Sequence, residues 1–88
     1  MRFQFDLNKA AANLKKHGVS FADAEGLFAD PLAAHRADPD SEGEERFVAL
    51  GMGNAGAILV VVYVLREDEI RLISARRATR REVKKYES

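Results

Sequence analysis

The sequence lacks cysteine and tryptophan altogether, and only two of its 88 residues are proline. Without cysteine the chain has no disulfide framework, no thiolate metal ligand and no cysteine nucleophile. Its longest apolar run, residues 57–65, has nine residues, whereas a helix needs about 20 to span a bilayer. The N-terminus has no signal-peptide hydrophobic region, so we expect a cytoplasmic protein that does not enter a membrane.

The length and the hydrophobic fraction of 47% predict one small globular domain over residues 1–88. The 14 acidic and 14 basic residues cancel to a net charge of zero, but they are segregated along the chain. Residues 20–45 carry eight acids and one base, and residues 71–85 carry seven bases and one acid. A basic end of this kind presents a local positive field to a phosphate backbone or to an acidic protein.

The apolar spacing predicts the order β-α-α-β-β-β-α, an α+β fold with a small antiparallel sheet, two N-terminal helices and a C-terminal helix. A short strand over residues 2–6 precedes a helix that ends at Gly18, which suits a C-cap. The apolar stripe of that helix contains Leu7, Ala10, Ala11 and Leu14. Ser20 begins the second helix, whose buried side is formed by Phe21, Ala24, Leu27 and Phe28.

A polar loop over residues 30–44 separates the helices from three strands, predicted over residues 46–51, 57–65 and 70–76. Thr79 and Glu82 then have the spacing of a capping box and begin the last helix. Val83 and Tyr86 lie on the apolar side of that helix.

Arginine dominates the basic C-terminal segment. Four bases spaced for one helix face follow Arg76, namely Arg77, Arg80, Arg81 and Lys84. Guanidinium groups grip phosphate oxygens with two parallel hydrogen bonds, which favours phosphate or carboxylate recognition over a merely solvated surface. Arg46 begins a strand and is either a second phosphate ligand or the partner of a surface ion pair with Glu44 or Glu45.

Histidine titrates near neutrality and suits proton transfer, so His17 is a candidate acid or base. A helix C-terminus also stabilises an imidazolium, which accounts for His17 without catalysis. His35 lies in the predicted polar loop and receives no role. No metal-ligand spacing is present in the sequence, so we predict no metal site.

Three groups of residues carry a resemblance to a known family. They are Phe5-Asp6, Lys9, Asn13 and Lys16 to Phe21; Glu45-Arg46-Phe47; and Ile73 to Ala78 with Glu82 and Tyr86. The chain resembles the BrnT-type toxins, the toxic half of a bacterial type II toxin–antitoxin pair, which have a RelE-like ribonuclease fold. One departure is Phe5, where the family often has tryptophan.

The resemblance implies a metal-independent and cofactor-free endoribonuclease that inhibits translation. Such cleavage uses the 2′-hydroxyl of the RNA as the nucleophile, and the protein moves two protons and stabilises the phosphorane. We predict phosphate stabilisation by Arg46, Arg76 and Arg80, and proton transfer by His17, Glu82 or Tyr86. Further RNA contacts are predicted for Lys9, Arg77, Arg81 and Lys84.

The resemblance also implies a cognate antitoxin, BrnA-like and with a ribbon–helix–helix DNA-binding domain, that forms a heterotetramer with the toxin. We expect this antitoxin to cover Arg76, Arg80 or both. The alternative is a non-catalytic module whose basic C-terminal face binds nucleic acid or an acidic partner. A third hypothesis is a structural protein whose charged regions serve assembly alone.

Overall fold

The computed structural model describes residues 2–88, which form an α+β fold. In chain order the elements are β1 (Arg2–Gln4), α1 (Leu7–His17), α2 (Phe21–Glu25), a 3-10 turn (Gly26–Ala29), β2 (Ala34–Ala37), β3 (Arg46–Met52), β4 (Ile58–Arg66), β5 (Glu69–Arg77) and α3 (Arg80–Glu87). Across this part of the chain, no helix combines the length and apolarity needed to cross a membrane. The predicted fold class is confirmed.

The strands form one sheet in the order β1-β5-β4-β3-β2. The meander from β3 to β5 is antiparallel, as predicted, and β2 pairs antiparallel with β3. Two details differ from expectation, because β1 joins β5 in parallel and β2 lies where a polar loop was predicted. The strand signal of β2 is weak, since its four residues are all exposed and two of them are alanine, which is depleted in strands.

The hydrophobic core lies between one face of the sheet and the layer formed by α1, α2 and the 3-10 turn. The largest fully buried side chains are Phe21, Leu27, Leu59, Val61 and Leu72. Burial of each such side chain stabilises the fold by about 1.5–3 kcal/mol. The predicted buried side of the second helix is thus confirmed at Phe21, Ala24 and Leu27, although α2 ends at Glu25 and Leu27 lies in the 3-10 turn that follows.

The turn between β3 and β4 is fixed to α2 by hydrogen bonds. The Asn54 N–H donates to the Asp23 carbonyl at 3.0 Å, and the Ala55 N–H donates to the Asp23 carboxylate at 2.7 Å. Gly26 lies against this turn, and a Cβ there would be 2.6 Å from Asn54 Cγ. The sequence therefore needs glycine at this close approach.

Asn13 docks α1 on the edge of β5. Its side-chain Nδ2 donates to the Ala75 carbonyl at 2.8 Å and to the Val19 carbonyl at 2.9 Å, and its Oδ1 accepts from the Ala75 N–H at 3.0 Å. The Asn13 amide thereby pairs with the backbone of β5 at a point where β1 no longer does. Because Asn13 faces inward, most of the predicted apolar stripe of α1 does not: Leu7 and Leu14 are 77% and 51% exposed, and only Ala10 packs against the core.

α3 lies against the opposite face of the sheet. The predicted capping box is present, with Thr79 and Glu82 each accepting a hydrogen bond from the other's backbone N–H. No residue of α3 is buried, and Val83 and Tyr86 are half-buried. Polar contacts, described below, therefore contribute much of what holds α3 in place.

Candidate functional site

The face of the sheet that turns away from the core is apolar at its centre and basic at its edges. Alternation along the strands places every second side chain on this face. The cross-strand register aligns these side chains in three rows: Ala34, Leu50, Val60 and Arg76; Arg36, Val48, Val62 and Ser74; and Arg46, Val64 and Arg71. We call this surface the arginine face, after Arg36, Arg46, Arg71 and Arg76.

Two of the predicted phosphate ligands lie far apart on the arginine face. Arg46 is in the row of Val64, and Arg76 is in the row of Val60, two strands away. At about 3.4 Å per residue and 4.8 Å per strand, their Cα atoms are roughly 17 Å apart. The two arginines therefore extend from well-separated positions on the face.

Arg76 and Glu82 form a bidentate ion pair where β5 meets α3. The two guanidinium nitrogens donate to the two Glu82 oxygens at 2.8 and 3.0 Å. This contact and the hydrogen bond from the Thr79 N–H lower the pKa of Glu82 from 4.5 to about 2, and the Glu82 contact also raises the pKa of Arg76. Glu82 is consequently a carboxylate at neutral pH, unsuited to donating a proton and weak at accepting one.

A cleft of about 440 Å³ separates α3 from the first two rows of the arginine face. Leu50 and Val60 are among its apolar lining, and Arg36, Lys85 and Tyr86 supply polar groups. Small-molecule sites combine an apolar surface with a few polar groups in this way and start at about 300 Å³. The volume of the cleft lies within the usual range of such sites.

Tyr86 connects α3 to the segment that follows the 3-10 turn. Its hydroxyl donates to the Asp30 carboxylate at 2.6 Å, and Asp30 also accepts from the backbone N–H groups of Leu32 and Met52. The hydrogen bond raises the pKa of Tyr86 and lowers that of Asp30. The phenol therefore keeps its proton at neutral pH and donates a hydrogen bond to Asp30 at the edge of the cleft.

Arg46 forms the predicted ion pair, but with a different acid. Its Nε lies 3.0 Å from Asp38 Oδ2, so the partner is neither Glu44 nor Glu45. Arg36 and Arg71 form no ion pair within residues 2–88. Neither arginine is marked as a site residue by the sequence pattern, because Arg36 lies within the acidic stretch and only strand register shows that both share the face of Arg76.

The remaining predicted contacts do not all share the arginine face, since the register pairs Arg77 with the core residue Leu59. Arg77 ends β5 rather than joining the helix, so the expected four-residue helical face reduces to Arg80, Arg81 and Lys84. All four side chains are exposed. Lys9 is exposed on α1, in the layer on the other side of the sheet.

The two histidines lie on the helix side of the sheet. His17 is half-buried at the end of α1 and is not among the residues that line the cleft. His35 lies on β2 beside the cleft, but its ring packs against Phe28 and its Nδ1 is 2.9 Å from the Tyr63 hydroxyl. Had β2 been predicted as a strand, alternation of its side chains would have placed His35 and Arg36 on opposite faces of the sheet.

Comparison with known proteins now identifies the family. Residues 5–82 match the family described as "Ribonuclease toxin, BrnT, of type II toxin-antitoxin system". The chain belongs to the BrnT family. It is also similar to the crystal structure of the Brucella abortus ribonuclease toxin BrnT, with 26% sequence identity and a TM-score of 0.66 over 91% of this chain and 99% of that one. No curated protein sequence matches the chain significantly.

The resemblance found in the sequence is confirmed, and so is the α+β fold of the BrnT toxins. Membership of a type II toxin family implies an antitoxin partner, and the family is one of ribonucleases. Arg46, Arg76 and Glu82 fall within the matched residues, whereas Tyr86 lies beyond them. The Tyr86–Asp30 contact is therefore a feature of this chain that the BrnT match does not cover.

Proposed function

We propose that this BrnT chain is a metal-independent endoribonuclease that binds an RNA strand along the arginine face and cuts it beside the cleft. One observation carries the proposal: Glu82, which lines the cleft, holds the Arg76 guanidinium by two hydrogen bonds. A fixed guanidinium matches the geometry of phosphate oxygens, and its charge is in place before the reaction begins. The ribonuclease description of the family supports the same conclusion.

The proposed reaction is an internal transfer within the RNA. The 2′-oxygen forms a bond to the adjacent phosphorus as its proton passes to a base, and the bond from phosphorus to the 5′-oxygen breaks as that oxygen receives a proton. The products are a 2′,3′-cyclic phosphate and a 5′-hydroxyl. The protein supplies proton transfer and stabilises the charge on the phosphorane.

Arg76 is the proposed ligand of the scissile phosphate, with Arg80 beside it in the first turn of α3, where the helix dipole also favours an anion. Glu82 is a positioning residue, since it holds Arg76. Tyr86 is the proposed acid, since it lines the cleft and its phenol is protonated at neutral pH. His17, the other predicted proton carrier, lies on the helix side of the sheet away from the cleft, so it is not proposed as the base.

The other bases bind the RNA backbone on either side. Arg36, Arg46 and Arg71 extend the arginine face from the cleft to the far end of the strands. Arg77, Arg81, Lys84 and, more distantly, Lys9 add exposed positive charge. Because each neutralised phosphate releases counterions, RNA affinity should fall steeply with salt concentration.

The antitoxin is proposed to inhibit by occlusion. An acidic segment of a BrnA-like antitoxin would compete with RNA for Arg76 and Arg80, since carboxylates and phosphates use the same guanidinium forks. Its ribbon–helix–helix domain would dimerise and bring two toxins together in a heterotetramer. A complex that leaves both arginines exposed while blocking RNA cleavage would contradict this view.

The test is cleavage of single-stranded RNA by antitoxin-free protein in excess chelator, with and without ribosomes. We expect fragments with 2′,3′-cyclic phosphate ends, and a rate at least about 100-fold lower for Arg76→Ala, in line with loss of one transition-state ligand. Arg2→Ala is the control, because Arg2 pairs with Glu69 at the opposite end of β5 from Arg76 and does not line the cleft.

Salt-sensitive RNA binding without cleavage, both with and without ribosomes, would refute the ribonuclease proposal. It would support the alternative of a non-catalytic binding module. Equal cleavage rates for Arg76→Ala and Arg2→Ala would show that the scissile phosphate does not bind beside the cleft. Either result is distinguishable from misfolding by the thermal transition of each variant.

A further inference from the structure

α1 presents an apolar seam to solvent. Leu7 and Leu14 are 77% and 51% exposed, and Ala11 between them is exposed as well. The buried face of the helix is instead occupied by Asn13, whose amide is fully used on β5 and Val19. Large apolar side chains aligned on one exposed helix face are characteristic of an interaction surface, unlike apolar residues scattered singly.

The spacing of the seam suits a second helix. Leu7, Ala11 and Leu14 are separated by four and three residues, the d-a-d pattern of a coiled-coil heptad. The small side chain of Ala11 allows a close approach between two leucine knobs about 10 Å apart along the axis. Lys15 follows at the e position, which in heptad packing pairs with a charged residue of the partner helix.

The charge of α1 indicates which partner occupies the seam. The eleven residues of the helix contain Lys9, Lys15 and Lys16 but no acid, in a chain whose net charge is zero. A second copy would bring two such basic helices together, which is electrostatically unfavourable. An acidic amphipathic helix complements both the seam and its charge, and a type II toxin has an antitoxin available as the donor of that helix.

We propose that Leu7, Ala11 and Leu14 form a docking seam for an amphipathic antitoxin helix that carries an acidic residue opposite Lys15. This inference rests on the proposed pairing with an antitoxin, but not on the position of the cleavage site. The seam lies on the helix layer, and the arginine face lies on the other side of the sheet. The antitoxin would thus hold the toxin at two separate surfaces, one apolar and one basic.

The test compares binding of the full-length antitoxin encoded beside the toxin to wild type, Leu7→Asn/Leu14→Asn, Lys15→Glu and Ala12→Asn. Ala12→Asn is the control, since Ala12 is exposed on the same helix outside the seam. We expect the double variant to raise Kd by roughly 100-fold, about tenfold for each leucine, and Lys15→Glu to weaken binding most at low salt. RNA cleavage by the antitoxin-free variants should equal that of wild type.

Unchanged antitoxin affinity in the double variant would overturn the proposal, provided its thermal transition matches wild type. A second copy would be the occupant of the seam if the wild type sediments as a dimer, the double variant sediments as a monomer, and both bind the antitoxin equally well. That result would overturn the proposal. Wild-type protein that leaves RNA intact but binds antitoxin through the seam would support the docking site and refute the ribonuclease proposal.

Discussion

Exchange of Glu82 for glutamine separates the two contacts that this carboxylate makes. Glutamine at the third helical position preserves the capping box, because its amide oxygen still accepts from the Thr79 N–H. The same exchange removes the negative charge that faces Arg76 at 2.8 Å. The helix should therefore remain capped while the ion pair is lost.

The size of the effect follows from the pKa of Glu82. A fall from 4.5 to about 2 corresponds to roughly 3 kcal/mol in all for groups shielded from water; the Arg76 contact is its largest cause, and the Thr79 N–H, which glutamine keeps, supplies another part. The Glu82 and Arg76 side chains are 28% and 41% exposed, so solvent screening reduces this to about 1–2 kcal/mol. Since the folded-state pKa is depressed, the stabilisation is present above pH 4.5 and is lost as the pH falls towards 2.

Urea denaturation of wild type and Glu82→Gln at about pH 7, 4.5 and 2.5 measures this directly. We expect the variant to be less stable by about 1–2 kcal/mol at the two higher pH values and the difference to shrink at the lowest. Glu69→Gln is the control, because the Arg2 side chain that pairs with Glu69 is 76% exposed and the pair should contribute little. A difference that stays constant across the pH range would refute the ion-pair account.

Three further outcomes test other contacts. Asn13→Leu should lower the free energy of unfolding by about 3 kcal/mol in urea denaturation, because it leaves buried backbone groups without partners. Tyr86→Phe should raise the pKa of Asp30 towards its ordinary value in a carboxyl NMR titration, since the largest cause of its depression is removed. Gly26→Ala should lower Tm by roughly 5–15 °C in calorimetry, because the added methyl group meets Asn54.

Local signals predicted most of the elements. Three helix-end signals depend only on residues within one helical turn, and all three are confirmed: the capping box at Thr79, the serine cap of α2 and the glycine that ends α1. β4 was predictable because its run of β-branched residues has the composition of a central strand. These signals need no knowledge of the rest of the chain.

Long-range pairings were not predictable from the same signals. The helical period of α1 marks the leucines as its apolar face, but the helix is oriented by Asn13, whose partner Ala75 is 62 residues away. The strand β2 exists because it pairs with β3, and its own four residues have little strand preference. In both cases a tertiary contact outweighs the local pattern.

The fold brings two acids of the acidic stretch to donors from other parts of the chain, and this affects how the site is interpreted. Asp38 and Asp30 come from the acidic stretch, yet one pairs with Arg46 and the other accepts from Tyr86 of the basic segment. The acids thereby orient donors that would otherwise move freely, which is the preorganisation that phosphate chemistry requires. Arg36, the one base in the acidic stretch, is left without an ion pair among residues 2–88. A charge count along the chain thus locates the basic segment, but the acids that position its groups are identified only by the fold.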